Sequence, residues 1–227
     1  MKRALPWLIS AVLLVAFGAS FSELQRVRKR FGEVTRPVRY HRHSEVRQTV
    51  IAQQLARVEA PIVVLGDSLI EATMFPSEIC GHAVVNAGIG GARLQDFGGT
   101  GFRLLDGNHP ALIVLALGVN DALSQSQTFE TDLIQLLRQL RQFSRNVMAF
   151  GVSDVETGPL VNDSAALNGI IAKQNAVYAK IMGGTFSPAP SLGRAHTVDG
   201  IHLAPSAYWK WSSSLFAAIE AAACSIK

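Results

Sequence analysis

Ser68, Asp199 and His202 are the residue types an acyl-transfer reaction needs, and their placement is suggestive. Ser68 stands in Gly66-Asp67-Ser68-Leu69, directly after the apolar run Ile62-Val63-Val64-Leu65. Asp199 and His202 stand near the other end of the chain in Asp199-Gly200-Ile201-His202. A serine hydroxyl is a weak nucleophile until a base takes its proton, and a neutral imidazole titrates in the right range to do so. A carboxylate on the other ring nitrogen fixes the tautomer and stabilises the imidazolium. A tetrahedral intermediate also needs hydrogen-bond donors aimed at its oxyanion. The candidates are the backbone N–H groups of Ser68 and Gly91 and the side-chain amide of Asn120. Gly91 ends Asn86-Ala87-Gly88-Ile89-Gly90-Gly91, and Asn120 lies in Gly118-Val119-Asn120-Asp121.

The elements that must position these groups are legible from Pro61 onward. Short apolar runs at Ile62–Leu65, Ala83–Val85, Leu112–Leu117 and Val147–Val152, with a weak one at Thr185-Phe186, read as strands buried on both faces. Helical periodicity separates them, over about Leu94–Leu105, Phe129–Phe143 and Ala165–Met182, with a last helix from Pro205 to about Ala223. Alternating strands and helices predict an α/β fold with a parallel sheet of about five strands. Three of the four blocks directly follow a predicted strand. The fourth lies on the loop between the weak fifth strand and the final helix. A parallel sheet gathers such segments on one rim, at the strand carboxyl ends where ligands bind.

With these four blocks in order, residues 61–215 resemble the SGNH hydrolases, also called the GDSL esterase/lipase family. The resemblance implies a flavodoxin-like three-layer α/β/α sandwich and ester hydrolysis through an acyl-enzyme. It assigns Ser68, Asp199 and His202 to catalysis and Ser68, Gly91 and Asn120 to the oxyanion hole, with no cofactor and no metal. The family often has Gly before the Tyr that follows the His block. Here Ala207 precedes Tyr208.

Each residue also has a purely structural reading. Ser68 could cap a following short helix, and Asn120 and Asp121 could close the turn after the third strand. The structural role is preferred for Asp67 and Asp121. His82, His109 and His196 read as surface or loop residues, Arg93 as an exposed charge, and most aromatics of Tyr208-Trp209-Lys210-Trp211 as core. His41-Arg42-His43 reads as solvated linker, and no Cys/His spacing suits a metal.

The net charge of +4 is unevenly spread, since residues 1–60 carry +7 and residues 61–227 carry −3. The latter part has no basic stripe interleaved with aromatics, so nucleic-acid binding is not expected. Met1-Lys2-Arg3 precedes an apolar stretch over residues 5–21, at the short limit for a span, which requires about 17–25 residues. It reads as a signal-anchor or signal peptide, with a buried helix as the alternative. Residues 22–60 read as a basic linker with a helix over about Ser44–Val58, and residues 61–227 as the hydrolase domain. Arg26, Arg28, Lys29 and Arg30 favour a cytoplasmic domain by the positive-inside rule. The N-terminal pattern favours export, and the periplasmic or extracytoplasmic placement is preferred. Cys80 and Cys224 are either a disulfide or two buried thiols.

The expectation is a membrane-anchored serine esterase. The absence of a long insertion to form a lid or acyl tunnel favours small acyl groups, such as O-acetyl on envelope carbohydrate. Transfer of the acyl group to a sugar hydroxyl is the first alternative, and a non-catalytic binding module on the same fold is the second.

Overall fold

The computed structural model describes residue 14 and residues 16–28 and 38–226. Contacts divide the chain into two compact units, residues 1–43 and Ser44–Lys227. In the first, residue 14 and residues 16–28 are helical. Most of the apolar stretch 5–21, where the membrane segment is expected, lies outside the described residues. Among the described residues no helix is long and apolar enough to cross a membrane.

The helix α1 (Val38–Leu55) enters the second unit at Ser44, ahead of Pro61. Its residues Ile51 and Leu55 are fully or almost fully buried, in a layer shared with Val63, Leu65, Phe97, Leu133 and Tyr178. Ile51 and Leu55 thus face the sheet, while Val46 and Val50 of the same helix are exposed.

The elements then follow as β1 (Ile62–Gly66), α2 (Ser68–Glu71), β2 (Glu78–Ile79), β3 (His82–Gly88), α3 (Leu94–Leu105), β4 (Leu112–Ala116), α4 (Val119–Leu123), α5 (Phe129–Leu140), β5 (Val147–Phe150), α6 (Ser164–Met182), β6 (Phe186–Ser187) and α7 (Pro205–Ala223). Six strands form one sheet in the order β2-β3-β1-β4-β5-β6. Five are parallel, and taken alone they run second-first-third-fourth-fifth, the order of flavodoxin-like doubly wound sheets. The sixth corrects the sequence reading. β2 pairs antiparallel with β3 through Cys80-Gly81, whose φ values of +51° and +82° are the positive pair of a tight hairpin turn. Two residues are too few to leave a periodicity signal.

The strand pleat assigns the layers. Val63 and Leu65 point toward α1, α3, α5 and α6, while Ile62 and Val64 point toward α7 through Trp211, Leu215 and Ile219. This makes a three-layer α/β arrangement with helices on both sheet faces. Register matters most for the site. Gly66 of β1 is level with Gly88 of β3 on one side and Ala116 of β4 on the other. The chain therefore leaves all three central strands at one height.

Of the two sequence alternatives for the cysteines, the structure has the disulfide. Cys80 in the β2–β3 turn is bonded to Cys224 at the end of α7, with Cα atoms 5.3 Å apart and a sequence separation of 144. It ties the sheet edge to the last helix. Disulfides closing long loops typically contribute about 2–4 kcal/mol. The C80A/C224A double variant should lose stability of about that size in urea unfolding. A midpoint equal to wild type would show that the bond does not constrain the unfolded chain.

Candidate active site

β1 ends at Gly66, and the chain turns at once into α2. Asp67 sits at the N-cap, and its side chain accepts from Leu69 N–H at 3.0 Å. This places Ser68 in the first turn of a short helix lying over the strand ends. The approach is close, since a Cβ on Gly88 would overlap the backbone nitrogen of Glu71. Only glycine at that position lets α2 settle on β3.

The loop bearing His202 reaches the same rim. His202 Nε2 lies 3.0 Å from Ser68 Oγ, and His202 Nδ1 lies 2.6 Å from Asp199 Oδ2. Asp199 Oδ1 also accepts from the backbone N–H groups of Ile201 (3.0 Å) and His202 (2.8 Å). Burial pushes the Asp199 carboxyl up, but the donors from His202 and Ile201 together outweigh it and hold it below its usual value. Asp199 is therefore an anion beside the imidazole at neutral pH, which leaves Nδ1 as the protonated nitrogen and Nε2 free to accept from Ser68.

The remaining blocks close around Ser68. Ile89–Ala92 is a tight turn sealed by Ala92 N–H to Ile89 O at 3.0 Å, with Gly91 at φ +75°, a left-handed conformation that favours glycine. Asn120 Nδ2 donates to Ala92 O at 3.1 Å, and Asp121 accepts from Leu94 N–H at 3.3 Å. These two bonds pin the segment after β4 to the segment after β3. Among the described residues, the Ser68 and Gly91 N–H groups donate to no other protein group. Ser68, Gly91, Asn120 and His202 line one open cleft with Gly90, Leu123, Leu160 and Ile201. The arrangement can deprotonate a serine and present unused N–H donors beside it. No group of three or more metal-ligating side chains occurs among the described residues.

A family model for the GDSL-like lipase/acylhydrolase family matches residues 64–209. The chain belongs to this family. It is accordingly an ester-hydrolysing enzyme of the SGNH type. Comparison with curated protein sequences found no match. Several solved structures share the fold. A Streptococcus pneumonia protein provisionally assigned as a platelet activating factor is 19% identical, with TM-score 0.60, over 86% of this chain and 97% of that one. The Mycobacterium smegmatis aryl esterase ("M. Smegmatis") is 15% identical, with TM-score 0.57, over 72% and 100%. A Geobacillus stearothermophilus acetylxylan esterase is 13% identical, with TM-score 0.55, over 70% and 94%. The catalytic mutants of that enzyme replace a serine, an aspartate and a histidine by alanine, the last two lying three positions apart.

In this GDSL-like hydrolase the structure brings together all five residues singled out from the sequence. It also reveals supports that the sequence reading missed. Asn86 lies near the end of β3, and its Nδ2 donates to Ile70 O (2.8 Å) and Thr73 O (3.0 Å), tying β3 to α2. Tyr208 is not merely core, because its hydroxyl donates to Leu69 O and meets Thr73 Oγ1 at 3.0 Å. Trp211 is buried as expected, whereas Trp209 is 76% exposed. His196 lies on a loop, one of the two alternatives read from the sequence, but not at the surface. It is buried, with Nδ1 2.8 Å from Gly193 O and Nε2 3.0 Å from Asp154 O. Glu156 beside it accepts from Ala195 N–H, Thr197 N–H and Thr197 Oγ1 at 2.6–2.8 Å, and so fixes the strand-like start of the Asp199–His202 loop. None of these residues forms a spacing pattern, so they leave no sequence signal.

Asp67 and Asp121 serve the structure as buried acceptors of backbone N–H groups; Asp67 turns the chain into α2, while the Asp121 side chain accepts from Leu94 N–H rather than closing its own turn. Burial pushes the Asp67 carboxyl up from 3.8 to about 7 and that of Asp121 to about 6. A raised folded-state pKa means that the native protein keeps a proton the unfolded chain has released. Asp67 therefore contributes stability that is full below pH 3.8 and is lost as pH rises to about 7. Asp67→Asn keeps the side-chain oxygen that caps α2 and removes the titration. The stability of wild type relative to Asp67→Asn should fall between about pH 4 and pH 7 and level off above, in urea unfolding at a series of pH values. Parallel curves would mean that Asp67 does not titrate in this range.

Proposed function

We propose that the protein is a serine esterase acting on short-chain acyl esters through an acyl-enzyme. The observation that carries this reading is the imidazole of His202 bridging Ser68 Oγ at 3.0 Å and Asp199 at 2.6 Å. Ser68 Oγ attacks the ester carbonyl carbon as His202 Nε2 takes its proton. The Ser68 and Gly91 N–H groups and the Asn120 amide hold the oxyanion. His202 then returns the proton to the leaving alcohol as the carbon–oxygen bond breaks. Water, deprotonated by the same imidazole, releases the acid and restores Ser68. The serine, aspartate and histidine altered in the acetylxylan esterase mutants support these assignments, including their three-residue spacing.

Hydrolysis is favoured over transfer to a sugar hydroxyl by the exposure of the site. The His202 side chain is 42% exposed, so water reaches the acyl-enzyme. Short acyl groups are favoured because the apolar lining of the cleft is limited to Leu123, Leu160 and Ile201. Acetyl esters of carbohydrate fit such an open cleft, and envelope polysaccharide is the substrate we infer. Export and anchoring through residues 5–21 is part of the proposal. It is supported by the Lys2-Arg3 flank and by the Cys80–Cys224 disulfide, a bond that persists in oxidising compartments.

Hydrolysis of p-nitrophenyl acetate, butyrate and octanoate tests the reading. Activity should fall with acyl length and be abolished in Ser68→Ala, and Asn120→Ala should lower kcat by about 10²–10³. Equal rates in wild type and folded Ser68→Ala would exclude it. A periplasm-dependent alkaline phosphatase reporter fused to the C-terminus should be active, and an inactive reporter at normal expression would refute export.

A further inference from the structure

Arg47 lies outside the 64–209 segment matched by the family, on a helix read from sequence as part of a linker. On α1 it occupies the same stripe as Ile51 and Leu55, four and eight residues on. Burial of those two residues against the sheet fixes the helix and delivers the guanidinium to the end of β3. Arg47 Nε donates to Gly88 O at 3.0 Å, and Nη2 donates to Asn86 O at 3.2 Å and Asn86 Oδ1 at 3.4 Å. Nε also lies 3.5 Å from Glu71 Oε1, with both side chains about four-fifths buried. The other oxygen of Glu71 accepts from Gly90 N–H at 2.6 Å. One guanidinium–carboxylate pair thus holds the residues on both sides of Ile89, immediately before Gly91.

We propose that Arg47 and Glu71 are positioning residues that set the direction of the Gly91 N–H. This rests on the esterase reading, in which that N–H is an oxyanion donor. The chemistry suits the task. A planar guanidinium can engage several backbone and side-chain oxygens in a fixed fork, which an ammonium cannot reproduce. A charged acceptor on Gly90 N–H makes a strong bond that fixes the plane of the Ile89–Gly90 peptide. With that plane held and Ala92 N–H closing the turn onto Ile89 O, the Gly90–Gly91 peptide between them is confined and so is the direction of its N–H. The turn contains two glycines, the residues least able to hold a single backbone conformation by themselves. Through Arg47, α1 therefore helps to position the oxyanion donor.

The test uses the full chain with Arg47→Ala, Arg47→Lys and Glu71→Gln, and p-nitrophenyl acetate as substrate. Losing alignment of an oxyanion donor should lower kcat and leave KM nearly unchanged, because the interaction forms in the transition state. Arg47→Ala and Glu71→Gln should each lower kcat by roughly 10- to 100-fold, less than loss of a donor outright. Arg47→Lys should recover only part of the loss. Amide exchange at Gly90 should quicken in Arg47→Ala whether or not the substrate suits the enzyme. Unchanged kcat in folded Arg47→Ala and Glu71→Gln overturns the proposal, as does unchanged Gly90 exchange in Arg47→Ala. If Arg47→Ala does not fold, Glu71→Gln decides through the kcat and KM split. Wild-type protein without ester turnover would sink the esterase reading alone, and the exchange result would still decide the positioning claim.

Discussion

The imidazole of His202 must sit within hydrogen-bond distance of two side chains at once, one of them 134 residues away in sequence. Everything that positions the site follows from that requirement. Ser68 follows the end of a central strand, whose last residue Gly66 is level with Gly88 and Ala116 of the neighbouring strands. His202 comes from an irregular loop that cannot rely on a ladder for its placement. Glu156, accepting three hydrogen bonds from Ala195 and Thr197, supplies the rigidity there. A bridge between Thr197 and Leu203 closes the loop behind the histidine. The chemistry is thus carried by a short bridge between one stiff element and one stiffened loop.

Three aspartates at the site show how environment divides one residue type into different roles. Asp199 receives enough donors to remain ionised, and it orients the imidazole. Asp67 and Asp121 are almost completely buried with fewer donors, and burial raises both. They serve the backbone rather than the substrate. Asp67 turns β1 into α2, and Asp121 locks the segment after β4 onto the start of α3. Both are costs in folding free energy near neutral pH that keep the site in shape, the usual relation between stability and function at such places.

The parts legible in the sequence are those with a period or a spacing. Buried parallel strands leave continuous apolar runs, so β1, β3, β4 and β5 were readable and the two-residue β6 only as a weak run one residue off, while α3 and α7 were readable almost to the residue. Ser68, Gly91, Asn120, Asp199 and His202 were readable because each sits just after a strand or on a short, type-specific block. The two-residue β2 and five-residue α4 were not, being too short to repeat a hydrophobic period. The burial of His196 on its loop was not readable, because one of its ring partners is the carbonyl of Asp154, 42 residues away. Arg47, Glu71 and Glu156 act through backbone atoms, and a backbone partner leaves no trace in residue type.

The central claim is that Ser68 becomes acylated. The most direct measurement is mass spectrometry of protein quenched in acid during turnover of p-nitrophenyl acetate. The account predicts a species heavier by one acetyl group, with the modification on the peptide containing Ser68 and absent from Ser68→Ala. Turnover with no acylated protein, or an acetyl group on another residue, would contradict it.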